Sequence, residues 1–221
     1  MTRYYEAYDE RYKAVHEKNL RCMGYSHSEI VLEIINKYGI SKEASILEIG
    51  CGEGRDSIVL LQKGYDLLAT DISPQAIAYC KNQYKEFSKS FCILDAINGR
   101  LDKRFDFIYS VAVIHMLVLD EDRKAFCSFI RNHLGENGIA LICTMGDGET
   151  ERMTDISKAY ELSERTFEGN TMLVAETSCR IVTFEAFENE LEDTSLEIIE
   201  KGFTSVGTQF PVMMYAVVKN K

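Results

Sequence analysis

With 221 residues, 46% of them apolar and 27% charged, the chain has ordinary globular composition and length enough for one domain with its own core. A formal net charge of −10, with the basic residues scattered, argues against a nucleic-acid partner, which calls for a basic face. No apolar run reaches membrane-span length, the opening M-T-R-Y-Y-E is too acidic and aromatic for a signal peptide, and the seven cysteines form neither a C-x-x-C pair nor a Cys/His quartet, so a reduced, cytoplasmic protein without a metal site is expected.

Residues 4–19 are polar, tyrosine-rich and predicted to be helical, with a break near Gly24. Residues 28–38 follow as an amphipathic helix, with Ile30, Val31, Ile34 and Ile35 on one face and Gly39 closing it. Residues 1–40 therefore read as a helical cap ahead of the first strand. That strand spans 45–50 and its helix 55–63, ended by Gly64. A second strand over 66–71 leads into a helix over 74–87, with Pro74 in the first turn, where proline is favoured. Then come a short strand over 90–94, a fourth over 105–110, an apolar run over 111–117, a helix over 121–134 and a fifth strand over 138–144, entered through G-E-N-G. Strands alternating with helices in this way imply parallel β-α units wound on both faces of a sheet. The last two strands, 196–207 and 211–219, are joined by a short loop and should pair antiparallel at the sheet edge. Residues 147–180 fit none of these patterns. Polar and rich in Glu and Thr, they are predicted to form a lid over the carboxyl ends of the strands, where open α/β sheets bind ligands. One domain over 1–221 is expected.

The stretch I-L-E-I-G-C-G-E-G-R at 46–55 places Gly50, Gly52 and Gly54 on a strand-to-helix turn, where a ligand can approach the backbone without meeting a β-carbon. Asp71 ends the next apolar run, where a carboxylate can take both hydroxyls of a ribose. Together they describe a nucleoside-binding half-fold. A dinucleotide fingerprint wants G-x-G-x-x-G, with a pyrophosphate resting on the helix N-terminus. Here the spacing is G-x-G-x-G, with Glu48 before the loop and Glu53 inside it. Such anions suit a positively charged ligand, S-adenosylmethionine, better than a pyrophosphate.

These motifs resemble those of the class I S-adenosylmethionine-dependent methyltransferases over nearly the whole chain. E-I-G-C-G-E-G is similar to the family's first motif, whose backbone contacts the methionine part of the cofactor. Asp71 matches the ribose-binding acid, and Asp95, in I-L-D-A-I-N, matches the position that accepts a hydrogen bond from the adenine amine. F-D-F-I-Y-S-V-A-V-I-H-M-L resembles the fourth motif, and G-E-N-G-I-A-L-I the turn into the fifth strand. The resemblance implies a Rossmann-like, doubly wound α/β sheet of seven strands, mostly parallel with an antiparallel C-terminal strand. It also implies cofactor contacts from Glu48, Gly50, Gly52, Gly54, Asp71, Ile72, Asp95, Ala96 and Ser110. H-S-E-I-V, L-E-I-G-C-G-E-G-R-D-S and G-Y-D-L-L-A-T-D look most like the tellurite-resistance-type and related small-molecule methyltransferases, which implies a small-molecule acceptor. The D/N-P-P-Y/F motif of amino-group methylases is absent at 109–112, so methylation of a DNA base is not expected.

Methyl transfer from a sulfonium is an in-line displacement that needs a nucleophile held near the methyl carbon and water kept out. Where the acceptor carries a proton, a base must take it. His115, just past the fourth strand, and Asp147 or Glu149, just past the fifth, are candidates. A histidine in an apolar run also reads as a packed core residue, and the two acids as solvated loop charges. Tyr12, in D-E-R-Y, stands in a row with Tyr4, Tyr5 and Tyr8 that could close over the sulfonium by cation–π contact or pack the cap. Two other function classes stay open on the sequence. One is a non-catalytic S-adenosylmethionine-binding subunit of a larger complex; the other is a nicotinamide-dependent oxidoreductase, disfavoured by the loop spacing.

Overall fold

Apolar runs punctuated by glycine and proline form the strands, and the periodic segments between them form helices on both faces of one sheet. The computed structural model describes residues 3–207 and 210–221; residues 1 and 2 of the expected cap lie outside them. The first part holds α1 (Ala7–His16), α2 (Glu29–Lys37), β1 (Ser45–Ile49), α3 (Arg55–Gln62), β2 (Asp66–Asp71), α4 (Pro74–Gln83), β3 (Phe91–Ile93), β4 (Phe105–Val111), α5 (Asp120–His133) and β5 (Leu134–Met145). An insertion carries β6 (Arg152–Met153), β7 (Leu162–Phe167), β8 (Asn170–Ala175) and β9 (Arg180–Ile181), and the chain finishes with α6 (Phe184–Glu192), β10 (Leu196–Val206) and β11 (Phe210–Asn220).

The sheet runs β10-β11-β5-β4-β1-β2-β3. Neighbours from β3 to β5 pair in parallel, and β11 is antiparallel to both β5 and β10. One strand is therefore reversed, and the edge strand β10 runs with the rest. Alternate residues of a strand face opposite layers. Leu47, Ile49 and Ile108 pack with Phe126 and Ile130 of α5 and Phe187 and Leu191 of α6. Ile46, Phe107 and Tyr109 pack instead with Ile34 of α2, Leu60 of α3 and Ile77 of α4. With both faces covered, the central strands read as near-continuous apolar runs, as parallel strands do.

Two segments differ from the sequence expectation. G-E-N-G does not precede β5 but interrupts it: Leu134 pairs with Phe105, pairing resumes at Ile139 opposite Phe107, and four residues loop out between. The insertion is not a structureless lid. Glu168 and Gly169 both have positive φ, 47° and 81°, the two-residue turn that favours a tight hairpin, and β7 and β8 pair across it. The hairpin backs onto α1. Arg11 on α1 donates from Nε and Nη2 to the Ala175 carbonyl at 3.0 and 2.7 Å, and from Nη2 to that of Glu176 at 2.9 Å. Tyr160 donates to the Arg3 carbonyl at 2.7 Å.

On its other side α1 is tied to the sheet. Asp9 accepts from the Ser73 hydroxyl at 2.6 Å and the Gln75 amide at 3.0 Å, at the start of α4. The Tyr4 hydroxyl accepts from the Val118 and Leu119 amides and donates to Asp122 at 2.6 Å. The cap thus lies between the carboxyl ends of the strands and the hairpin.

Candidate active site

The site begins where β1 stops. Gly50 and Gly52 have φ of 80° and 52°, and the Gly50 and Cys51 amides both donate to the Thr70 carbonyl of β2 at 2.7 and 2.8 Å. Side chains leave no room here. A β-carbon on Gly50 would sit 2.2 Å from Val113 Cγ2, and one on Gly52 2.7 Å from the Tyr12 hydroxyl. Gly54 faces elsewhere, packed against Tyr84 and Cys80 beside α4.

Asp71, at the end of β2, accepts from the Gly52 amide at 2.8 Å and the Ser73 amide at 2.9 Å. Burial pushes its carboxyl pKa up, against the pull of those amides. Each carboxylate oxygen keeps a free lone pair, so the group can still accept from a ligand hydroxyl. Asp95, past β3, accepts from the Ile97 amide at 2.9 Å and the Asn98 side-chain amide at 3.0 Å, and pairs with Arg3 from the cap.

These residues border a cavity of about 960 Å³ including its mouth, a size for a ligand of nucleoside dimensions or larger. Of the residues expected to bind a cofactor, Gly50, Gly52, Asp71, Ile72, Asp95 and Ala96 line it. Tyr5, Tyr8 and Tyr12 of the cap form the facing wall, completed by Met23, Met116 and Leu117. Tyr12 is buried and stays a phenol, its pKa raised well above the usual value by burial and by Asp71.

Five expected site residues lie elsewhere: Gly54, Glu48, Ser110, His115 and Asp147. Glu48 points back under the loop, where Ser57 donates to it. Burial and the neighbouring Asp56 raise its pKa to about 8. Ser110 donates to the Ile49 carbonyl at 3.1 Å, tying β4 to β1. His115 is buried on the opposite side of its turn from Val113 and Met116, 6.0 Å from the Phe210 ring, with Nδ1 unpartnered. Burial and Arg123 lower its pKa to about 3, so it stays neutral. Asp147 is exposed and closes its own turn, accepting from the Glu149 and Thr150 amides at 3.0 and 2.8 Å, which with the Thr150 hydroxyl lower its pKa to about 2. Neither His115 nor Asp147 reaches the cavity.

Glu53, inside the loop, serves the cap. Its oxygens accept from the Cys22 and Met23 amides, both at 2.9 Å, and from His16 Nε2 at 2.8 Å. Glu53 lines the cavity while its carboxylate is held by the cap, and Glu48 lies under the loop away from it, so of the two anions beside the glycines only Glu53 borders a ligand. The cationic residue beside them, Arg55, does line the cavity; the sequence signal for it was only its place after the third glycine.

Glu48 makes stability depend on pH. Its folded pKa of about 8 lies above the unfolded value near 4.5, so folding takes up a proton between them. The contribution of Glu48 to stability should therefore be full below about pH 4.5 and be lost as pH rises through about 8. Glu48→Gln imitates the protonated form, so melting curves should show the variant gaining on wild type steadily from pH 5 to pH 8. A difference that does not change with pH would refute the protonated carboxyl.

Residues 47–140 match a protein family described as "Methyltransferase domain". Over that stretch, fewer than half of its residues, the chain is similar to methyltransferase domains. "Probable S-adenosyl-L-methionine-dependent methyltransferase TehB" of Haemophilus influenzae is 29% identical over 124 residues, 53% of this chain and 42% of that protein. The chain thus spans less than half the length of that relative. Two solved structures under 25% identical share the fold of this chain. A TehB-like S-adenosylmethionine-dependent methyltransferase from Corynebacterium glutamicum aligns over 98% of both chains with a TM-score of 0.60 at 20% identity. The CcbJ methyltransferase from Streptomyces caelestis does so over 98% of both with 0.70 at 11%. The reversed β11 also distinguishes the sheet from the 3-2-1-4-5-6 dinucleotide-binding order.

Proposed function

We propose that the chain binds S-adenosylmethionine in this cavity and transfers its methyl group to a small-molecule acceptor by in-line displacement. One observation carries the reading: a glycine loop, Asp71 and Asp95 converge on a cavity whose far wall is three tyrosines from the N-terminal cap. Gly50 and Gly52 present backbone to the ligand, Asp71 accepts from the ribose hydroxyls, and Ile72 and Ala96 flank the adenine beside Asp95. When bound, the cofactor supplies a methyl group already activated on a sulfonium. The chain's task is then to hold the acceptor against that methyl and exclude water, work that the tyrosine wall suits.

Among the described residues no histidine lines the cavity, and its carboxylates are engaged by backbone amides, Arg3 or the cap. This favours an acceptor whose nucleophilic lone pair needs no strong general base. The acidic net charge and the covered mouth favour a small molecule over a polymer.

Calorimetry should show S-adenosylhomocysteine binding and no binding of NADH; NADH binding alone would sink the reading. Hydrogen exchange tests the cover. On binding, amides at 4–19 and 147–180 should slow more than those of α5, which lies outside the cavity apart from Phe126. Protection confined to the glycine loop and Asp71 would leave the cap and hairpin as fixed walls and defeat the lid reading.

A further inference from the structure

Asp95 has no lone pair to spare. Its Oδ1 accepts from the Ile97 and Asn98 amides at 2.9 and 3.3 Å, and its Oδ2 from Asn98 Nδ2 at 3.0 Å and from Arg3 Nη1. A carboxylate offers about four such places, so all are taken. Asp71 differs, since each of its oxygens meets one amide and keeps a lone pair. A ligand amine at the Asp95 end of the cavity therefore has to displace a donor already there.

The donors are held unequally. The Ile97 and Asn98 amides belong to the turn that Asp95 opens, which the Gly99 amide closes on the Asp95 carbonyl at 2.7 Å. The Asn98 side chain is part of the same turn and also reaches the Tyr5 hydroxyl at 3.3 Å. Arg3 comes from the cap. Its side chain is 42% exposed, and Glu6, with an oxygen 3.9 Å from Nη1, is a second partner for it. An exposed ion pair of this kind is worth little, and a guanidinium released from it returns to water and Glu6. Arg3 is thus the donor that leaves at least cost. It also holds Asp95 with the kind of group that an exocyclic amine offers, an N–H.

We propose that Arg3 is a specificity-determining residue that competes with the exocyclic amine of adenine for Asp95, so that the cofactor binds by displacing it. The inference rests on the cavity being the cofactor site and Asp95 its adenine acceptor. Two ligands isolate it: S-adenosylhomocysteine, and an analogue with unsubstituted purine in place of adenine. The analogue has no amine and leaves Arg3 where it is. By calorimetry, Arg3→Ala should tighten S-adenosylhomocysteine about two- to fivefold, the scale of an exposed ion pair, and leave the purine analogue unchanged. Arg3→Lys keeps a donor and a charge and should stay near wild type. Added salt should close the gap between wild type and Arg3→Ala, because it screens the pair. In an Asp95→Ala background, Arg3→Ala should bring no gain.

Weaker binding of S-adenosylhomocysteine by Arg3→Ala would make Arg3 a cofactor contact and overturn the inference. Equal tightening of both ligands would overturn it too, since the cap would then have loosened over the mouth as a whole. Unchanged affinity in Arg3→Ala, with the gain appearing in Asn98→Ala instead, would assign the competition to Asn98; unchanged affinity in both would end it. If the wild-type protein binds neither ligand, the cofactor reading itself fails and takes this inference with it.

Discussion

Asp71→Ala should weaken S-adenosylhomocysteine binding by about 1.5–3 kcal/mol, or roughly 10- to 150-fold, while far-ultraviolet circular dichroism stays that of a folded α/β protein. Two losses combine. The proposed ribose hydroxyls lose a charged acceptor, and the Gly52 and Ser73 amides, held at 2.8 and 2.9 Å, lose theirs. Asp71→Asn keeps one oxygen for one of those amides and should fall between wild type and alanine. Unaltered affinity in a folded Asp71→Ala protein would remove Asp71 from the site.

Gly50→Ala should cost about 2–5 kcal/mol of stability, from two separable sources. A φ of 80° disfavours any residue with a β-carbon by about 1–2 kcal/mol. The new methyl would also lie 2.2 Å from Cγ2 of Val113, a β-branched side chain with little rotameric freedom, and overpacking of this kind costs about 1–3 kcal/mol. The second source can be relieved. Adding Val113→Ala should recover the steric share in urea melts and leave the conformational share in place. A Gly50→Ala protein as stable as wild type would refute both, and no recovery in the double variant would assign the whole cost to the backbone.

The strands were legible because a parallel strand is buried on both faces, and runs such as S-I-L-E-I and F-D-F-I-Y-S-V have little else to be. The glycines and the acid at the end of β2 were legible because turn chemistry is local. The direction of a side chain is not. His115 follows β4 at the ligand edge, but it sits in a single turn, Ile114–Met116, whose other side carries Met116 into the cavity. One residue of phase decides the matter, and sequence position does not supply it. Asp147 had a signal in D-G-E-T, a short polar turn that an aspartate can close on its own backbone. Glu53 had none, since its partners Cys22 and Met23 are brought to it by the packing of the cap.

The grip of the hairpin on α1 is written in main-chain acceptors: Arg11 reaches the carbonyls of Ala175 and Glu176, and every residue has a carbonyl. Substitutions at the exposed positions of β7 and β8 can therefore accumulate without loosening that hold, whereas Phe167, Val174 and Ala175 are buried in clusters with Tyr12, Val15 and Ala7 of α1. The exposed face of the insertion is free to drift in sequence while the helix it supports, and the tyrosines facing the cavity, stay where they are.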